Sequence, residues 1–205
     1  MTTSAKARGI LVAVEGIDGA GKTTQVRLLE RLLAAAEIET VSTKEPTQGP
    51  WGRQIRASAQ TGRMGPEDEL QAFLNDRREH VRDLLEPSLA AGKLVLVDRY
   101  YFSTVAYQGA RGLDRRRLLS LNAFAPAPDV LIVLDVPPAV GLGRVRDRGD
   151  EADLFEKEDE LARARTIFRE LDVPNLHLLD GTLSVSAIAG QIATLVMAAW
   201  VRTHP

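Results

Sequence analysis

Cysteine is absent from the 205-residue chain, which excludes disulfides, thiolate metal sites and a cysteine nucleophile together. A reducing cytosol is the expected home. An excess of either charge is also missing: the formal net charge is −2, so the balance predicts neither a nucleic-acid partner nor an anionic membrane surface. Arg115, Arg116 and Arg117 form the longest basic run and, opening a helix, read as a solvated face. Met1 to Arg8 is basic, but the apolar run behind it, Ile10 to Val14, ends at Glu15 and is too short for a signal-peptide core. Val185 to Val201 is apolar, yet Ser186, Gln191 and Thr194 interrupt it while Ile188, Ile192, Leu195 and Ala199 recur at helical spacing. That pattern predicts a packed core helix and no membrane span. There is no internal repeat, no low-complexity tract and no break in composition, and 44% hydrophobic content suffices for one substantial core. One domain over residues 1–205 is expected, with residues 1–8 as a flexible tail.

What is present alternates between two periods. Short apolar runs at Ile10 to Val14, Glu39 to Thr43, Leu94 to Val97, Val130 to Leu134 and Leu176 to Leu179 read as strands, separated by helical stretches such as Lys22 to Ala36. Five strands taking turns with helices imply an α/β fold with a five-stranded parallel sheet and helices on both faces. Gly65-Pro66 opens a long helix that Pro87 helps to end, Pro46 to Gly52 is a turn-rich connection, and Arg148 to Asp153 is a charged break between two helices. Ligands of such sheets lie beyond the carboxyl ends of the strands. The rule selects the loop after Val14, Lys44-Glu45-Pro46, Asp98-Arg99-Tyr100, Asp135 and Asp180-Gly181-Thr182.

The first of these places is the most informative. Gly16, Ile17, Asp18, Gly19, Ala20, Gly21, Lys22 and Thr23 match G-x-x-x-x-G-K-[ST] in full, and Thr24 follows inside the helix. Gly16 and Gly21 let the backbone curl until successive N–H groups converge on phosphate oxygens. Lys22 adds a point charge, Thr23 a hydroxyl where Mg²⁺ is usually held, and the helix start its positive end. A nucleoside triphosphate site is expected. Asp18 is the odd member, since an acid in a phosphate cradle is repelled unless it points elsewhere. It either meets the acceptor's sugar or a water on the metal, or caps its own turn.

Transfer of a phosphoryl group onto another phosphate brings negative charge to negative charge and needs cations around both. Asp98 and Arg99 are either a structural ion pair at a strand end or such a set. Phe73 and Arg77 stand four apart on one helix, where they offer a ring and a cation to a base or, for Phe73, simply pack into the core. Arg144 and Arg148 point one way from their helix and Arg146 the other, which suits a closing lid over about residues 144–156 or a solvated face paired with Asp147 and Asp150. The guanine-reading tetrapeptide Asn-Lys-x-Asp does not occur, which argues against a GTP switch.

Val95 to Gly109, reading Val-Leu-Val-Asp-Arg-Tyr-Tyr-Phe-Ser-Thr-Val-Ala-Tyr-Gln-Gly, closely resembles the Asp-Arg-Tyr block of thymidylate kinases. Together with Gly-x-Asp-Gly-x-Gly-Lys-Thr-Thr, Phe73-x-x-x-Arg77 and the lid-like stretch from Arg144 to Phe155-Glu156, the resemblance runs from about Leu11 to the C-terminal helix. It implies a P-loop nucleoside monophosphate kinase fold with a short lid, and transfer from Mg²⁺-bound ATP to thymidine monophosphate, feeding dTTP synthesis. By that similarity Phe73 stacks on thymine, Arg77 holds the acceptor, Arg99 bridges the phosphates, and Asp98 with Thr23 positions the metal. Asp18 meets the acceptor sugar, Ser103 and Thr104 border the base, whose edge falls to Thr104 or to Gln108, and Tyr107 lies against the deoxyribose. Members commonly form homodimers through helices. Some carry an arginine at the position of Gly19; here Arg148 or Arg144 replaces that cation from the lid, as in bacterial members. Many members also carry arginine where this chain has Lys44, which keeps the charge near the acceptor but loses the bidentate fork. A kinase for another deoxynucleoside monophosphate or a deoxynucleoside, and a nucleotide-gated binding protein without turnover, are the alternatives.

Overall fold

A computed structural model describes residues 8–147 and 154–204, with side chains 59, 60 and 154–157 excepted. Each apolar run forms a strand, and each strand ends on a charged residue just beyond that run. The strands are β1 (Ile10–Glu15), β2 (Thr40–Lys44), β3 (Leu94–Asp98), β4 (Val130–Asp135) and β5 (Leu176–Asp180). They form one sheet in the order β2-β3-β1-β4-β5, with every neighbouring pair parallel. Asp98 lies in register with both Val14 and Lys44, and Asp135 with Asp180. Parallel pairing therefore gathers the charged ends along one edge of the sheet.

The central strands β1 and β3 are buried at every residue, as expected of strands covered on both faces. The cover consists of α1 (Lys22–Ala35), α2 (Pro50–Thr61), α3 (Pro66–His80), α4 (Glu86–Ala90), α5 (Tyr101–Ala110), α6 (Arg115–Leu121), α7 (Pro138–Arg146), α8 (Leu154–Arg169) and α9 (Val185–Thr203). Helix α9 packs beside α1 and on β1 and β4, while α5 packs against α8 and α3. A contiguous cluster of buried apolar side chains reaches from Ile10 to Ala199.

Two expectations change on contact with the structure, and the packed C-terminal helix holds. The connection expected over Pro46 to Gly52 gives way at Pro50 to α2. Pro50 fits the first turn because its missing N–H has no partner there in any helix. Gly52 fits because a Cβ at that position would stand 1.9 Å from the Thr47 carbonyl oxygen. Pro87 does not end the long helix: Val81–Leu85 widens into a π-helical turn, and α4 starts at Glu86 with Pro87 in its first turn. Helix α9 is a covering helix, with Ile188, Ile192, Val196 and Ala199 buried as one stripe and Val185 and Val201 exposed. It is the one helix among the described residues long and apolar enough to cross a bilayer, and that stripe is packed on the sheet. Of the expected tail, residues 1–7 lie outside the described residues, and Arg8 stands 3.8 Å from Asp129.

Leu96 is fully buried in β3, so Leu96→Ala removes apolar contact and leaves a cavity that the sheet cannot collapse into. We expect a loss of about 3 kcal/mol in urea-induced unfolding; a loss below about 1 kcal/mol would mean that this core is not packed as described.

Candidate active site

The loop between β1 and α1 is shaped by three glycines in the left-handed region, Gly16 (φ 135°), Gly19 (76°) and Gly21 (96°). It is wedged against α7. A Cβ on Gly19 would meet the Gly141 carbonyl oxygen at 2.0 Å, and one on Gly141 would meet the Asp18 carbonyl oxygen at 2.4 Å. No side chain fits at position 19 in this packing, so a loop arginine is sterically excluded. Arg144 on α7 donates to the Gly19 carbonyl (3.3 Å) and the Gly181 carbonyl (3.1 Å), placing a guanidinium between the loop and the turn after β5. Ile17 and Ala20 turn their side chains into the core and leave only backbone for a ligand. Lys22 is buried, with Nζ donating to the carbonyls of Gly16 (2.9 Å) and Ile17 (2.8 Å). Burial, assisted by the Arg99 charge, pushes the ammonium down to about 7. Thr24 sits exposed in the first turn of α1.

Beside the loop, Thr23 Oγ1 donates to Asp98 Oδ2, and Lys44 Nζ stands 3.5 Å from the same oxygen. The other carboxylate oxygen, Asp98 Oδ1, is buried without a hydrogen-bond partner. A hydroxyl and a carboxylate with an unpaired oxygen suit Mg²⁺, which keeps several waters and takes one or two protein ligands plus phosphate oxygens. Among the described residues no cluster of three or more carboxylate or imidazole ligands exists.

Arg99 follows with φ 71°, a left-handed conformation that redirects the chain from β3 towards the loop. Its guanidinium donates to Asp18 Oδ1 (2.5 Å), to Ser103 Oγ (3.2 Å) and to the Gly16 carbonyl (3.5 Å), and it lies 5.4 Å from the centre of the Tyr107 ring. Tyr107 donates to Asp18 Oδ2 at 3.3 Å. The expected trio Asp18, Arg99 and Tyr107 is thus assembled at the mouth of the loop. Glu15, which sequence reasoning missed, holds it there. Its carboxylate accepts from the backbone N–H of Tyr100 (2.8 Å) and Ser103 (2.9 Å) and from Ser103 Oγ (2.6 Å), satisfying donors in the first turn of α5. An acid closing a fully apolar strand, immediately before a glycine loop, was the signal available.

Farther along the crevice, Phe73 is half-buried on α3. Arg77, four residues on, is 1% exposed, and its guanidinium donates to Glu45 Oε2 (2.6 and 2.9 Å), Asn122 Oδ1 (2.5 Å) and Thr104 Oγ1 (3.2 Å). His80 Nδ1 closes on the other Glu45 oxygen at 2.9 Å. Despite full burial, Arg77 and His80 hold the Glu45 carboxyl below its usual range. Gln108 is buried on α5 with its amide nitrogen on Glu69. Two strand-end acids lie apart from this group: Asp135 is paired with Arg165 and Arg169, and Asp180 accepts from Thr182. Arg144 belongs to α7, which ends at Arg146, and α8 starts at Leu154, so most of the lid expected over about residues 144–156 lies outside the described residues. Arg148 lies outside the described residues.

Sheet order, phosphate loop, Asp98 against Thr23 and an arginine between cradle and crevice define a P-loop nucleoside monophosphate kinase fold. The profile of the thymidylate kinase family matches residues 14–192. Curated thymidylate kinases from Xanthomonas euvesicatoria pv. vesicatoria (strain 85-10) and Xylella fastidiosa (strain M12) are each 51% identical, over 199 and 189 residues. These alignments span 97% and 92% of this chain, and 88% and 87% of the relatives. The chain belongs to the thymidylate kinase family.

Glu15→Ala would leave buried donors unpaired at the start of α5, and we expect about 3 kcal/mol of lost stability. Glu15→Gln keeps a carbonyl acceptor and should lose less. Burial also pushes the Glu15 carboxyl up from 4.5 to about 7, against the Ser103 hydrogen bond and the Arg99 charge. A folded-state value above the unfolded one gives stability that is complete below about pH 4.5 and is lost as pH rises through about 7. Urea titrations across that window should show this slope in wild type and a flatter profile in Glu15→Gln; identical slopes would contradict the assignment. Gly141→Ala should displace the phosphate loop and lower kcat/KM about a hundredfold while the chain stays folded. Unchanged kinetics would show that the Gly141 contact does not shape the loop.

Proposed function

We propose that this chain transfers the γ-phosphoryl group of ATP to thymidine monophosphate, giving ADP and thymidine diphosphate for dTTP synthesis. The observation that carries the reading is the Asp18, Arg99 and Tyr107 group at the mouth of the phosphate loop, in a chain of the thymidylate kinase family. Donor phosphates take the loop's N–H groups, from Gly16 through Thr24, and draw Lys22 Nζ from the two carbonyls it now contacts. Arg144 braces the loop from behind. Thr23 and Asp98 hold Mg²⁺, which supplies charge neutralisation across the donor phosphates.

On the acceptor side Phe73 stacks on the base, while Ser103, Thr104 and Gln108 border it. Arg77 holds the acceptor from below, with its guanidinium oriented by Glu45. Asp18 and Tyr107 meet the sugar, Tyr107 disfavouring a 2′-hydroxyl, and Lys44 faces the acceptor phosphate. Arg99 lies between the two phosphate groups. The acceptor oxygen is already ionised and needs no general base, so catalysis is positioning plus charge neutralisation in an in-line displacement. Arg148 adds a lid cation. The reading includes one kinase domain, a homodimer formed through helices, a cytosolic home, and neither nucleic acid nor membrane as partner.

The test is steady-state ADP formation with Mg·ATP and a panel of nucleoside monophosphates and nucleosides, with Lys22→Ala as the blank. Thymidine monophosphate should be the preferred acceptor. Preference for another acceptor would move the specificity argument to Lys44, and nucleotide binding without turnover would support a binding protein instead. Arg99→Ala should lower kcat about a hundredfold or more, with a much smaller effect on stability. Normal turnover in that variant would remove Arg99 from the mechanism.

A further inference from the structure

Helices α3 and α5 face each other across two polar rungs. On α3, Glu69, Phe73 and Arg77 recur every four residues and share a face; on α5, Thr104 and Gln108 do the same. One rung is Arg77 to Thr104 Oγ1 at 3.2 Å, and the other is Gln108 Nε2 to Glu69 Oε2. Phe73 stands between them along the helix.

The second rung has a direction built into it. Glu69 is buried and accepts from Arg63 Nε (3.0 Å) and Arg111 Nη1 as well as from Gln108. Two guanidinium groups on a carboxylate leave it an acceptor only, so the amide placed against it must present its NH₂. The carbonyl of Gln108 then points away from Glu69. That atom, Gln108 Oε1, is buried without a hydrogen-bond partner, on a residue 1% exposed. A buried acceptor lacking a donor is costly, and a ligand N–H would satisfy it. Thymine and uracil carry hydrogen on N3; cytosine presents a lone pair there.

We infer that Glu69 is a positioning residue for base specificity: it fixes the amide of Gln108 so that the carbonyl faces the base and accepts from a pyrimidine N3–H. This rests on the thymidine monophosphate reading above. Glu69 touches no substrate itself. In the Glu69→Gln variant one amide oxygen replaces two carboxylate oxygens, and Arg63 and Arg111 compete for it. The variant's NH₂ is left towards Gln108, whose amide turns over and offers a donor to the base in place of an acceptor.

The experiment compares kcat/KM for thymidine monophosphate and deoxycytidine monophosphate in wild type, Glu69→Gln, Gln108→Met and Arg63→Ala. In Glu69→Gln the preference for thymidine monophosphate should fall about tenfold to a hundredfold. The change should sit mainly in KM, with kcat for thymidine monophosphate nearly kept. Gln108→Met, which removes the amide without asking for new partners, should lose discrimination to a similar degree, and the double variant should lose little more. Arg63→Ala leaves the Gln108 contact in place and should keep the wild-type ratio. An unaltered ratio in folded Glu69→Gln, or full discrimination in Gln108→Met, would overturn the inference. Additive losses in the double variant would overturn it too. Failure of wild type to use thymidine monophosphate would instead sink the functional reading.

Discussion

The structure depends on one buried carboxylate. Glu15 ends the central strand in the core, where an isolated negative charge would be untenable, and is kept there by two backbone N–H groups and a hydroxyl from the first turn of α5. That single set of contacts joins the end of β1, where the phosphate loop begins, to the end of β3, where Asp98 and Arg99 stand. Parallel register brings the strand ends to one edge. Glu15 then sets the path of the chain beyond β3, so that Thr23 meets Asp98 and Arg99 meets Asp18.

Around this junction each described cation of the crevice already has protein partners. Lys22 lies on two carbonyls, Arg99 on Asp18, Ser103 and Gly16, Arg144 on Gly19 and Gly181, and Lys44 near Asp98. Lys22 apart, which phosphates would draw from its two carbonyls, these cations are held in place before any phosphate arrives, and that limits the reorganisation needed as negative charge develops in phosphoryl transfer. Burial, with the Arg99 charge beside it, pushes the Lys22 ammonium down to about 7, and a neighbouring phosphate anion would favour its charged form. The side of the crevice formed by α3 is built differently. Arg77, Glu45, His80, Asn122 and Thr104 form a buried, mutually satisfied network one helical turn from Phe73 along α3.

Much of this was legible in the chain. The phosphate loop, the five strands and the Asp98 to Gly109 block are local patterns, and local patterns carry their own physics: glycine φ, alternation of period, a strand feeding a helix. Charge repulsion suggested that the Asp18 side chain turns away from the phosphate cradle, and its carboxylate lies on Arg99 and Tyr107. Other features depend on contacts between distant segments, which no window of sequence displays. Gly141 looks like any helix glycine until the Asp18 carbonyl is found against it. Glu69 and Glu15 look like ordinary acids until their partners on α5 are seen. Helix α2 was hidden because proline and glycine signal turns in general, and only the Thr47 approach to Gly52 shows why glycine belongs inside that helix.

The central claim is that one crevice holds donor and acceptor together and that the phosphoryl group passes directly between them, with no side chain as carrier. The stereochemical course at the γ-phosphorus tests it most directly, using ATP made chiral there with sulfur and oxygen isotopes and analysing the thymidine diphosphate analogue formed. A single in-line displacement predicts inversion of configuration. Retention would require two displacements through a phosphorylated residue and would contradict the account.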